Sequence, residues 1–372
     1  MIKIVVLLGT RPEIIRLSRI LNMLDGIVDL SLIHTGQNYD YELNQIFFED
    51  LNIRKPDYFL GIKTDTVGTS YGQILIKSEE ALLKIKPDGI LILGDTNSSL
   101  AALIAKRLKI TIYHMEAGNR SFDQNVPEEI NRKIIDHISD INLPYTEHAR
   151  RNLLNEGIHP RSIYLTGSPM NEVLSYYKNE IENSKILNKT NLKEKEYILV
   201  STHREEIVDN IKNLSLLFDI LKEIQVIFNK KIIISTHPRT KKRLAEYKMN
   251  FDDSFMFLKP FGFFDYINLQ KNAFCTLSDS GSVSEEASIL GFPAITFRTS
   301  IERPEAMDVG GVFVTGINPE NIITILKHLD KFNYNSTPQE YEITNVSERV
   351  TKLILGTYKL SKEWSNIKIK PN

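Results

Sequence analysis

The sequence predicts an α/β protein with two doubly wound parallel sheets, one in each half of the chain. Short runs of β-branched and other apolar residues alternate with longer amphipathic segments from the first residues onward, a pattern typical of repeated strand and helix units. Between Tyr176 and Glu196 the composition changes to Lys, Asn and Glu, and the alternation then starts again. Because functional loops follow the carboxyl ends of such strands, we expect the two domains to face a shared cleft.

The strand candidates are short and end in small or polar residues. They are KIVVLLG, LSLIHTG, GILILGD, TIYHMEA, INLPY and SIYLTG in the first half, and YILVSTH, KIIISTH, FMFLKP, AFCTLSD, PAITFR and VFVTG in the second. Helical segments such as PEIIRLSRILNML, ELNQIFFEDL and SSLAALIAKRL lie between them. We expect a first domain over residues 1–175, a linker region over 176–196, a second domain over 197–345, and a C-terminal helix and tail over 346–372 that pack back on the first domain.

Composition limits the classes of partner. Lys and Arg number 46 against 47 Asp and Glu, so no global field attracts nucleic acid or an anionic membrane, and an anion needs a local site. The single cysteine, Cys275, excludes an internal disulfide. No apolar run approaches the roughly 20 residues that cross a bilayer, and the N-terminal IVVLL is too short for a secretory signal. We therefore expect a cytoplasmic protein with no nucleic-acid or membrane partner.

The stretch His114–Lys133, HMEAGNRSFDQNVPEEINRK, is the densest group of polar residues. It runs from a predicted strand, through a loop with one glycine, into a helix announced by Pro127. Glu116 therefore stands at a strand end and Glu128 at a helix start, with Arg132 one turn later. Carboxylates that share a site can be driven to different pKa values, so that one serves as an acid and another as a base.

Asp95 ends the most apolar strand of the first half, GILILGD. Two interpretations are open. Asp95 is either the N-cap of the helix from Ser98 to Arg107 or a further carboxylate at the same sheet edge as Glu116.

The first strand-to-helix turn is GTRPE, residues 9–13. Free N–H groups at a helix start attract an anion, and Arg11 adds positive charge. Arg16 lies about one helical turn beyond Arg11 and could face the same anion. The alternatives are a plain tight turn and a solvated surface charge.

Two histidines end strand candidates of the second half, His203 in STHR and His237 in STHPRT. Histidine titrates near neutral pH and can act as an acid, as a base or as a hydrogen-bond donor to a phosphate. A lone surface histidine usually has no such role. No HxxxH or CxxC spacing occurs, so we do not expect a zinc site.

The stretch SDSGS precedes a predicted helix and offers Ser280, Gly281 and Ser282 as a nest for a phosphate. Glu286, about one turn further, could accept hydrogen bonds from a ribose diol, and Arg303 in ERPE could meet a diphosphate. The alternative is an ordinary capped helix with a surface glutamate. Together these stretches favour a nucleoside diphosphate held by the second domain, with its attached group facing the acids of the first.

Taken in order, GTRPE, GD, HMEAGNR, PEEINR, THRE, SDSGS and ERPEA resemble the non-hydrolysing UDP-N-acetylglucosamine 2-epimerase family, from about Lys3 to Gly316. The resemblance implies two Rossmann-like doubly wound domains facing a central cleft (GT-B type), a UDP-sugar substrate, no metal, no cofactor and a homodimer. It also implies that UDP is eliminated to give a glycal held in the site, and is added back after the proton returns to the opposite face of C2.

Carried over position by position, the resemblance gives two groups of residues. The catalytic group is Asp95, Glu116, Glu128, His203 and Arg132. The nucleotide contacts are Arg11, Ser280, Glu286 and Arg303, with Tyr266 where the family presents backbone to uracil. Arg16, His237, Gly281 and Ser282, which come from the residue patterns themselves, complete the expected substrate site. Which carboxylate removes the C2 proton stays open.

The chain departs from the family pattern at several positions. Arg16 replaces a lysine, Ser282 replaces a glycine, and Asn38 replaces the histidine after TGQ, which bears on a regulatory second UDP-sugar site. The stretch GNRSFDQNVPEEINRK resembles the corresponding stretch of the family branch acting on 6-deoxy sugars. That branch converts UDP-2-acetamido-2,6-dideoxy-L-talose to UDP-N-acetyl-L-fucosamine for capsule or O-antigen. On that interpretation Phe122 is the candidate to face the C6 methyl.

Other functions stay open beside this one. They are a UDP-GlcNAc/UDP-ManNAc 2-epimerase, a hydrolysing epimerase that releases UDP, a GT-B glycosyltransferase with an external acceptor, and a catalytically silent sugar-nucleotide-binding protein. The carboxylate group argues against the last, since a binding protein gains nothing from acids beside a diphosphate.

Overall fold

The computed structural model describes residues 1–36, 45–63, 66–247, 249 and 251–365 and divides the chain into two units. The first unit is Met1–Ser175 together with the chain from Glu342 onward, and the second unit is Tyr176–Tyr341. Each unit contains one six-stranded parallel sheet, which confirms the predicted α/β class. Asn38 and the first residues of the predicted helix ELNQIFFEDL lie outside the described residues.

The sheet of the first unit has the order β3-β2-β1-β4-β5-β6. Its strands are β1 (Lys3–Leu8), β2 (Asp29–His34), β3 (Tyr58–Phe59), β4 (Gly89–Leu93), β5 (Thr111–Met115) and β6 (Ile141–Leu143). Strand β1 pairs on one side with β2 and on the other with β4, so the winding direction reverses between β1 and β4. All five residues of β4 and of β5 are buried, as expected for strands covered on both faces.

The sheet of the second unit repeats this winding, in the order β12-β11-β10-β7-β8-β9. Its strands are β7 (Tyr197–Thr202), β8 (Lys231–Thr236), β9 (Phe255–Leu258), β10 (Cys275–Ser278), β11 (Ala294–Thr296) and β12 (Phe313–Val314). The first strand of the unit, β7, again lies between the second and the fourth. The loops after β7 and β10 therefore leave the sheet side by side.

Helices connect the strands and cover the sheets. In chain order they are α1 (Arg11–Asp25), α2 (Gln45–Asp50), α3 (Val67–Ile85), α4 (Ala101–Arg107), α5 (Pro127–Ile138), α6 (Glu147–Asn155), α7 (Met170–Tyr176), α8 (Lys178–Glu182), α9 (Ile186–Thr190), α10 (Glu205–Val208), α11 (Ile211–Phe228), α12 (Pro238–Glu246), α13 (Phe263–Asn272), α14 (Val283–Leu290), α15 (Pro304–Asp308), α16 (Pro319–Lys327), α17 (Val346–Thr357) and α18 (Leu360–Trp364). Short 3-10 turns lie at Asn97–Leu100, Pro160–Ser162, Leu329–Lys331 and Gln339–Tyr341. No helix of the described chain combines the length and the apolarity needed to cross a bilayer.

The C-terminal helices α17 and α18 belong to the first unit. Tyr113 Oη on β5 lies 3.0 Å from Thr357 Oγ1, and Thr111 Oγ1 lies 3.0 Å from Ser361 Oγ. The backbone N–H of Ser347 donates to Glu172 Oε2 at 2.8 Å. These polar contacts give the last part of the chain a specific position on the sheet that begins at Lys3.

Three segments differ from the sequence prediction. Residues 176–196, expected as a linker, form α8 and α9 and belong to the second unit, where Asn268 Nδ2 donates to Ile181 O at 2.8 Å. The predicted strand SIYLTG is wrong, because only Ile163 makes an isolated bridge, to Asn142. Strand β3, Tyr58–Phe59, is not among the predicted strands.

Candidate active site

Asp95 lies just beyond β4, after a turn at Gly94 whose φ of 72° suits glycine. Its carboxylate Oδ2 accepts a hydrogen bond from Arg132 Nε at 2.6 Å. The turn that follows begins at Asn97 with Thr96 as its N-cap, so Asp95 is not the helix cap. Of the two interpretations of Asp95, the structure therefore supports a carboxylate held at the sheet edge by α5.

Glu116 follows β5 and has a φ of 65°, a left-handed conformation that costs a non-glycine residue about 1 kcal/mol or more. Asn119 Nδ2 donates to its Oε1 at 3.3 Å. A Cβ placed on Gly94 would lie 3.9 Å from Glu116 Oε2, so this carboxylate lies against the turn that precedes Asp95. The structure thus brings the ends of the neighbouring strands β4 and β5 together, as their polar residues predict.

Helix α5 begins at Pro127, as predicted, and presents Glu128 half-buried in its first turn. Arg132 follows one turn later and joins Asp95 to the buried Glu129, whose Oε2 accepts from Arg132 Nη1 at 3.0 Å. Glu129 also accepts hydrogen bonds from the N–H and hydroxyl of Ser121. Burial opposes ionisation of Glu129, but the hydrogen bonds from Ser121 and Arg132 hold its pKa below the usual value.

A buried charge network supports the loop that carries Glu116. His114 on β5 contacts Asp136 Oδ1 through Nδ1 and Gly94 O through Nε2, both at 2.9 Å. Asp136 also meets Arg120 Nη1 at 2.7 Å, and Arg120 Nε donates to Glu156 at 2.8 Å. Burial opposes ionisation of Asp136, yet His114 and Arg120 keep its pKa below the ordinary value. The network fixes both ends of the loop.

The turn GTRPE starts α1 with a capping box in which the Glu13 carboxylate accepts the N–H of Gly9 at 2.5 Å and of Thr10 at 3.1 Å. Its other oxygen accepts the Thr96 hydroxyl at 2.7 Å, which ties this turn to the residue after Asp95. Burial, opposed by these hydrogen bonds and assisted by the charge of Asp95, raises the pKa of Glu13 to about 7.

The two arginines of this turn differ in their surroundings. Arg11 is half-buried, with its guanidinium carbon 6.0 Å from the centre of the Phe47 ring. Arg16 is only 3% exposed, which excludes the interpretation of Arg16 as a solvated surface charge. Both lie on α1, the helix that follows the central strand β1.

The two histidines of the second unit lie together beyond the adjacent strands β7 and β8. The ring centres of His203 and His237 are 5.9 Å apart. His203 Nδ1 lies 3.0 Å from Asp279 Oδ1, and His237 Nδ1 accepts the N–H of Arg239 at 3.3 Å at the start of α12. In the described part of the chain, no three His, Cys, Asp or Glu residues are grouped to hold a metal ion.

The SDSGS turn follows β10 and leads into α14. The Ser280 hydroxyl lies 3.1 Å from that of Ser282, and the N–H of Ser280 donates to Ser278 Oγ at 3.0 Å. Glu286 on α14 is 5% exposed, and its Oε2 accepts from Gln270 Nε2 at 2.7 Å. Glu286 is therefore oriented by α13 and is not the surface glutamate of the alternative interpretation.

The remaining predicted nucleotide contacts are engaged within the second unit. Arg303, just before α15, is 4% exposed and its Nη1 lies 3.2 Å from Glu285 Oε2. A Cβ on Gly281 would lie 3.5 Å from Glu302 Oε2, so the serine turn adjoins the residue before Arg303. The N–H of Tyr266 donates to Gly262 O at 3.0 Å inside the first turn of α13, so that N–H is used by the helix.

The sequence patterns do not indicate a role for two further residues of these groups, Glu13 and Asp279. Glu13 fits the Thr-x-x-Glu capping pattern, a signal that the sequence contains, but its hydrogen bond to Thr96 could not be read from spacing. Asp279 is separated by 76 residues from His203, and no local pattern links them. In both cases the partner is brought close by sheet pairing.

Comparison with known proteins gives consistent matches over most of the chain. A family model described as UDP-N-acetylglucosamine 2-epimerase matches residues 23–355. The UDP-N-acetylglucosamine 2-epimerase of Methanocaldococcus jannaschii is 43% identical over 86% of this chain and 90% of its own length. The UDP-2,3-diacetamido-2,3-dideoxy-D-glucuronate 2-epimerase of Pseudomonas aeruginosa is 34% identical over 86% of this chain and 90% of its own.

Solved structures agree in fold. The UDP-N-acetylglucosamine 2-epimerase from Rickettsia bellii aligns with a TM-score of 0.92 and 45% identity over 99% of this chain and 100% of that chain. The Methanocaldococcus jannaschii UDP-GlcNAc 2-epimerase in complex with UDP-GlcNAc and UDP aligns with a TM-score of 0.91 and 39% identity, over 95% of this chain and 100% of that one.

Proposed function

This chain belongs to the UDP-N-acetylglucosamine 2-epimerase family, and we propose that it converts UDP-2-acetamido-2,6-dideoxy-L-talose to UDP-N-acetyl-L-fucosamine. Family membership supports epimerisation at C2 of a UDP-sugar. The 6-deoxy sugar is our proposal. It is supported by the sequence of residues 118–133, GNRSFDQNVPEEINRK, which resembles that of the family branch acting on 6-deoxy substrates.

The reaction breaks and remakes two bonds. A carboxylate removes the C2 proton, the C–H electron pair becomes the C1–C2 double bond of a glycal, and UDP leaves C1 with the electrons of the C1–O bond. In the second step of the same turnover, the glycal takes a proton at C2 from an acid on the opposite face, and the UDP oxygen bonds to C1 again. The net result is inversion at C2, with no oxidant or reductant consumed and UDP retained.

The single observation that carries the proposal is that Asp95 and Glu116 follow the adjacent strands β4 and β5, with Glu116 Oε2 against the turn at Gly94. Inversion needs one group to take a proton and another to return it, and neighbouring carboxylates supply both. Glu128, in the first turn of α5, is the third candidate. Arg132 would orient Asp95, because its Nε holds Asp95 Oδ2 at 2.6 Å.

We assign the UDP portion of the substrate to the loops of the second unit. The hydroxyl groups of Ser280 and Ser282 before α14 suit a phosphate, and Glu286 suits ribose hydroxyls. His203 and His237 end β7 and β8, near the same sheet edge as the serine turn, and would contact the diphosphate. In the first unit, Arg11 at the start of α1 is a separate candidate to bind an anion.

Phe122 is our candidate for sugar selection. It is 73% exposed and has a φ of 55°, an unfavourable conformation for a bulky residue. The preceding residue, Ser121, is fixed by two hydrogen bonds to the buried Glu129, so the ring is presented by an anchored backbone. An exposed aromatic ring would favour a methyl group at C6 over a hydroxymethyl group, since burial of a methyl contributes about 1 kcal/mol.

A substrate panel tests the sugar assignment. Wild-type protein is incubated with UDP-N-acetyl-L-fucosamine, its 6-deoxy-L-talose epimer, UDP-GlcNAc and UDP-ManNAc, and each product is followed by proton NMR. We expect the 6-deoxy pair to interconvert with the higher kcat/KM, and Phe122→Ala to lower that preference. A higher kcat/KM for UDP-GlcNAc would contradict the 6-deoxy assignment and leave C2 epimerisation intact.

The second candidate is a UDP-GlcNAc/UDP-ManNAc 2-epimerase, favoured by the names of relatives that are 43% and 40% identical. The same panel separates it from the first candidate. Released UDP, measured by chromatography, would instead indicate a hydrolysing enzyme, and transfer to an added glycan without C2 exchange would indicate a glycosyltransferase.

Our proposal also includes a cytoplasmic homodimer that supplies a sugar nucleotide for capsule or O-antigen synthesis. These features follow from the family resemblance and from the 6-deoxy product. Light scattering of the purified protein checks the dimer, for which we expect twice the chain mass of 42.7 kDa.

A further inference from the structure

Asp279 is a fully buried carboxylate whose two oxygens have different partners. Oδ2 accepts three hydrogen bonds, from Thr202 Oγ1 at 2.8 Å and from the N–H groups of His203 and Arg204 at 2.9 Å each. Oδ1 faces His203 Nδ1 at 3.0 Å and accepts no other hydrogen bond from the residues that the structure describes. One oxygen therefore holds the backbone after β7, and the other is left to the imidazole.

The charge state of this carboxylate is defined by its surroundings. Burial opposes ionisation, but His203 and the two backbone N–H groups hold the pKa of Asp279 at about 2. At neutral pH the carboxylate can only accept hydrogen bonds, so the ring nitrogen that faces it must carry a proton.

We propose that Asp279 is a positioning residue that fixes His203 in its Nδ1–H tautomer and thereby leaves Nε2 as the atom that meets the substrate. This inference rests on the proposed function, because His203 is part of the substrate site proposed there. The inference defines which of its ring nitrogens carries the proton and which one meets the substrate. The His203 side chain keeps 32% of its surface exposed, so its ring is not enclosed. A histidine held by a buried carboxylate presents one nitrogen in one orientation, as in the Ser-His-Asp arrangement of hydrolases.

A purely structural role for Asp279 is the alternative to be tested. In that role the carboxylate would only anchor the backbone of residues 202–204, and the histidine tautomer would not depend on it. The two roles use different oxygens, Oδ2 for the backbone and Oδ1 for the ring. An isosteric change that keeps one and alters the other therefore separates them.

Asp279→Asn is that change. Two backbone N–H groups and a hydroxyl point at the position of Oδ2, so the asparagine carbonyl oxygen must take that place, which directs its NH₂ group at His203 Nδ1. His203 then has to accept at Nδ1 and carry its proton on Nε2. We expect the variant to fold, to show the inverted tautomer, and to lose about a hundredfold in kcat, the range typical of a lost acid–base group.

The tautomer is measured by nitrogen-15 NMR of histidine-labelled, substrate-free protein, at a pH high enough for the imidazole to be neutral. The His203 signal is assigned by its loss in His203→Gln. Thr202→Val is the matched control, since it removes one hydrogen bond to Oδ2 and leaves the carboxylate at Oδ1. It should keep the wild-type tautomer and most of the activity.

A neutral Nε2–H tautomer in the wild type would overturn the inference, as would an Asp279→Asn variant with an unchanged tautomer and near-normal kcat. An inverted tautomer in Thr202→Val would also overturn it, because the backbone and not Oδ1 would then set the ring. The NMR result needs no turnover. If the wild type shows the Nδ1–H tautomer but no epimerisation, the proposed function fails and the positioning of His203 stands.

Discussion

At the scale of single residues, Glu116 has an unfavourable backbone conformation, and its carboxylate lies at a defined position beside the Gly94 turn. Its left-handed φ of 65° would be relieved by glycine or asparagine, yet a glutamate stands there with its carboxylate against the turn that carries Asp95. Strain of this kind persists where the surrounding structure imposes it, and it is concentrated at functional sites. Substitution of a carboxylate whose position the neighbouring strands define should therefore change catalysis or stability.

Glu116→Gln keeps the shape of the side chain and removes its capacity to exchange a proton. We expect kcat for C2 epimerisation to fall by about 10²- to 10⁴-fold, because a positioned acid or base contributes in that range. UDP affinity, measured by calorimetry, should change little. Glu147→Gln on α6, a surface glutamate paired with Arg151, is the control and should leave kcat unchanged. Wild-type kcat in Glu116→Gln would remove Glu116 from the mechanism.

Glu13 predicts how stability depends on pH. Its pKa rises from 4.5 to about 7 on folding, so the folded state binds this proton more tightly than the unfolded state. The stabilisation, about 3 kcal/mol, is fully present below pH 4.5 and is lost as the pH rises through 7. Ionised Glu13 is thus the destabilising form.

Glu13→Gln imitates the protonated form and should remove this dependence. Between pH 5 and pH 8 we expect the unfolding free energy of the wild type to fall relative to that of Glu13→Gln by about 2 kcal/mol. Urea denaturation of both proteins at the two pH values measures the difference. If the unfolding free energies of the two proteins changed equally between pH 5 and pH 8, Glu13 would be ionised in the folded protein across this range.

At the scale of elements, the loop between β5 and α5 is held at both ends. Asp136 accepts the N–H of Gly118 at 3.1 Å, and Glu129 accepts that of Ser121 at 2.9 Å. Gly118 has a φ of 82°, and a Cβ there would overlap the carbonyl oxygen of Ala149 on α6. Close packing of this loop on α6 therefore requires glycine for its conformation and for its size.

Gly118→Ala should therefore destabilise the protein by several kcal/mol and lower kcat by displacing Glu116. Gly157→Ala is a matched control, since Gly157 has a φ of 84° but open space around its Cβ position. The control carries only the left-handed strain, about 1 kcal/mol. Thermal unfolding and activity of the two variants separate clash from strain. Equal losses would show that the overlap with Ala149 is relieved at no cost.

The sequence predicted elements better than it predicted contacts. All strands of four or more residues appear where apolar runs end in polar loops, and α5 starts at Pro127 as its capping signals indicate. The prediction failed for β3, with two residues, and for SIYLTG, where only Ile163 bridges. Partners such as Asp279 and His203 meet through the pairing of β7 with β10, and this long-range geometry has no local pattern.

At the scale of the whole molecule, the two units differ in how the chain forms them. The second unit is continuous, Tyr176–Tyr341, and a large hydrophobic core forms within this segment, for example from Ile198, Leu217 and Leu277. The first unit needs the chain from Glu342 onward, since α17 covers Tyr113 and Thr357 meets its hydroxyl. Independent folding should follow this difference.

Expressed alone, residues 176–341 should unfold cooperatively and bind UDP without catalysing C2 exchange. Residues 1–175 alone should fail to fold stably, because the buried face that α17 covers becomes exposed. Circular dichroism melting and UDP calorimetry check both fragments. A non-cooperative melt for residues 176–341 would contradict the independence of the second unit.

Solvent exchange at C2 tests the central claim most directly. The wild-type protein is incubated with the UDP-N-acetyl-L-fucosamine pair, and separately with the UDP-GlcNAc pair, in deuterated water, and the products are examined by NMR and mass spectrometry. Removal and return of the C2 proton by Asp95, Glu116 or Glu128 predicts product that carries deuterium at C2 and still carries UDP. Epimerised product with hydrogen retained at C2 would contradict the mechanism for every sugar tested.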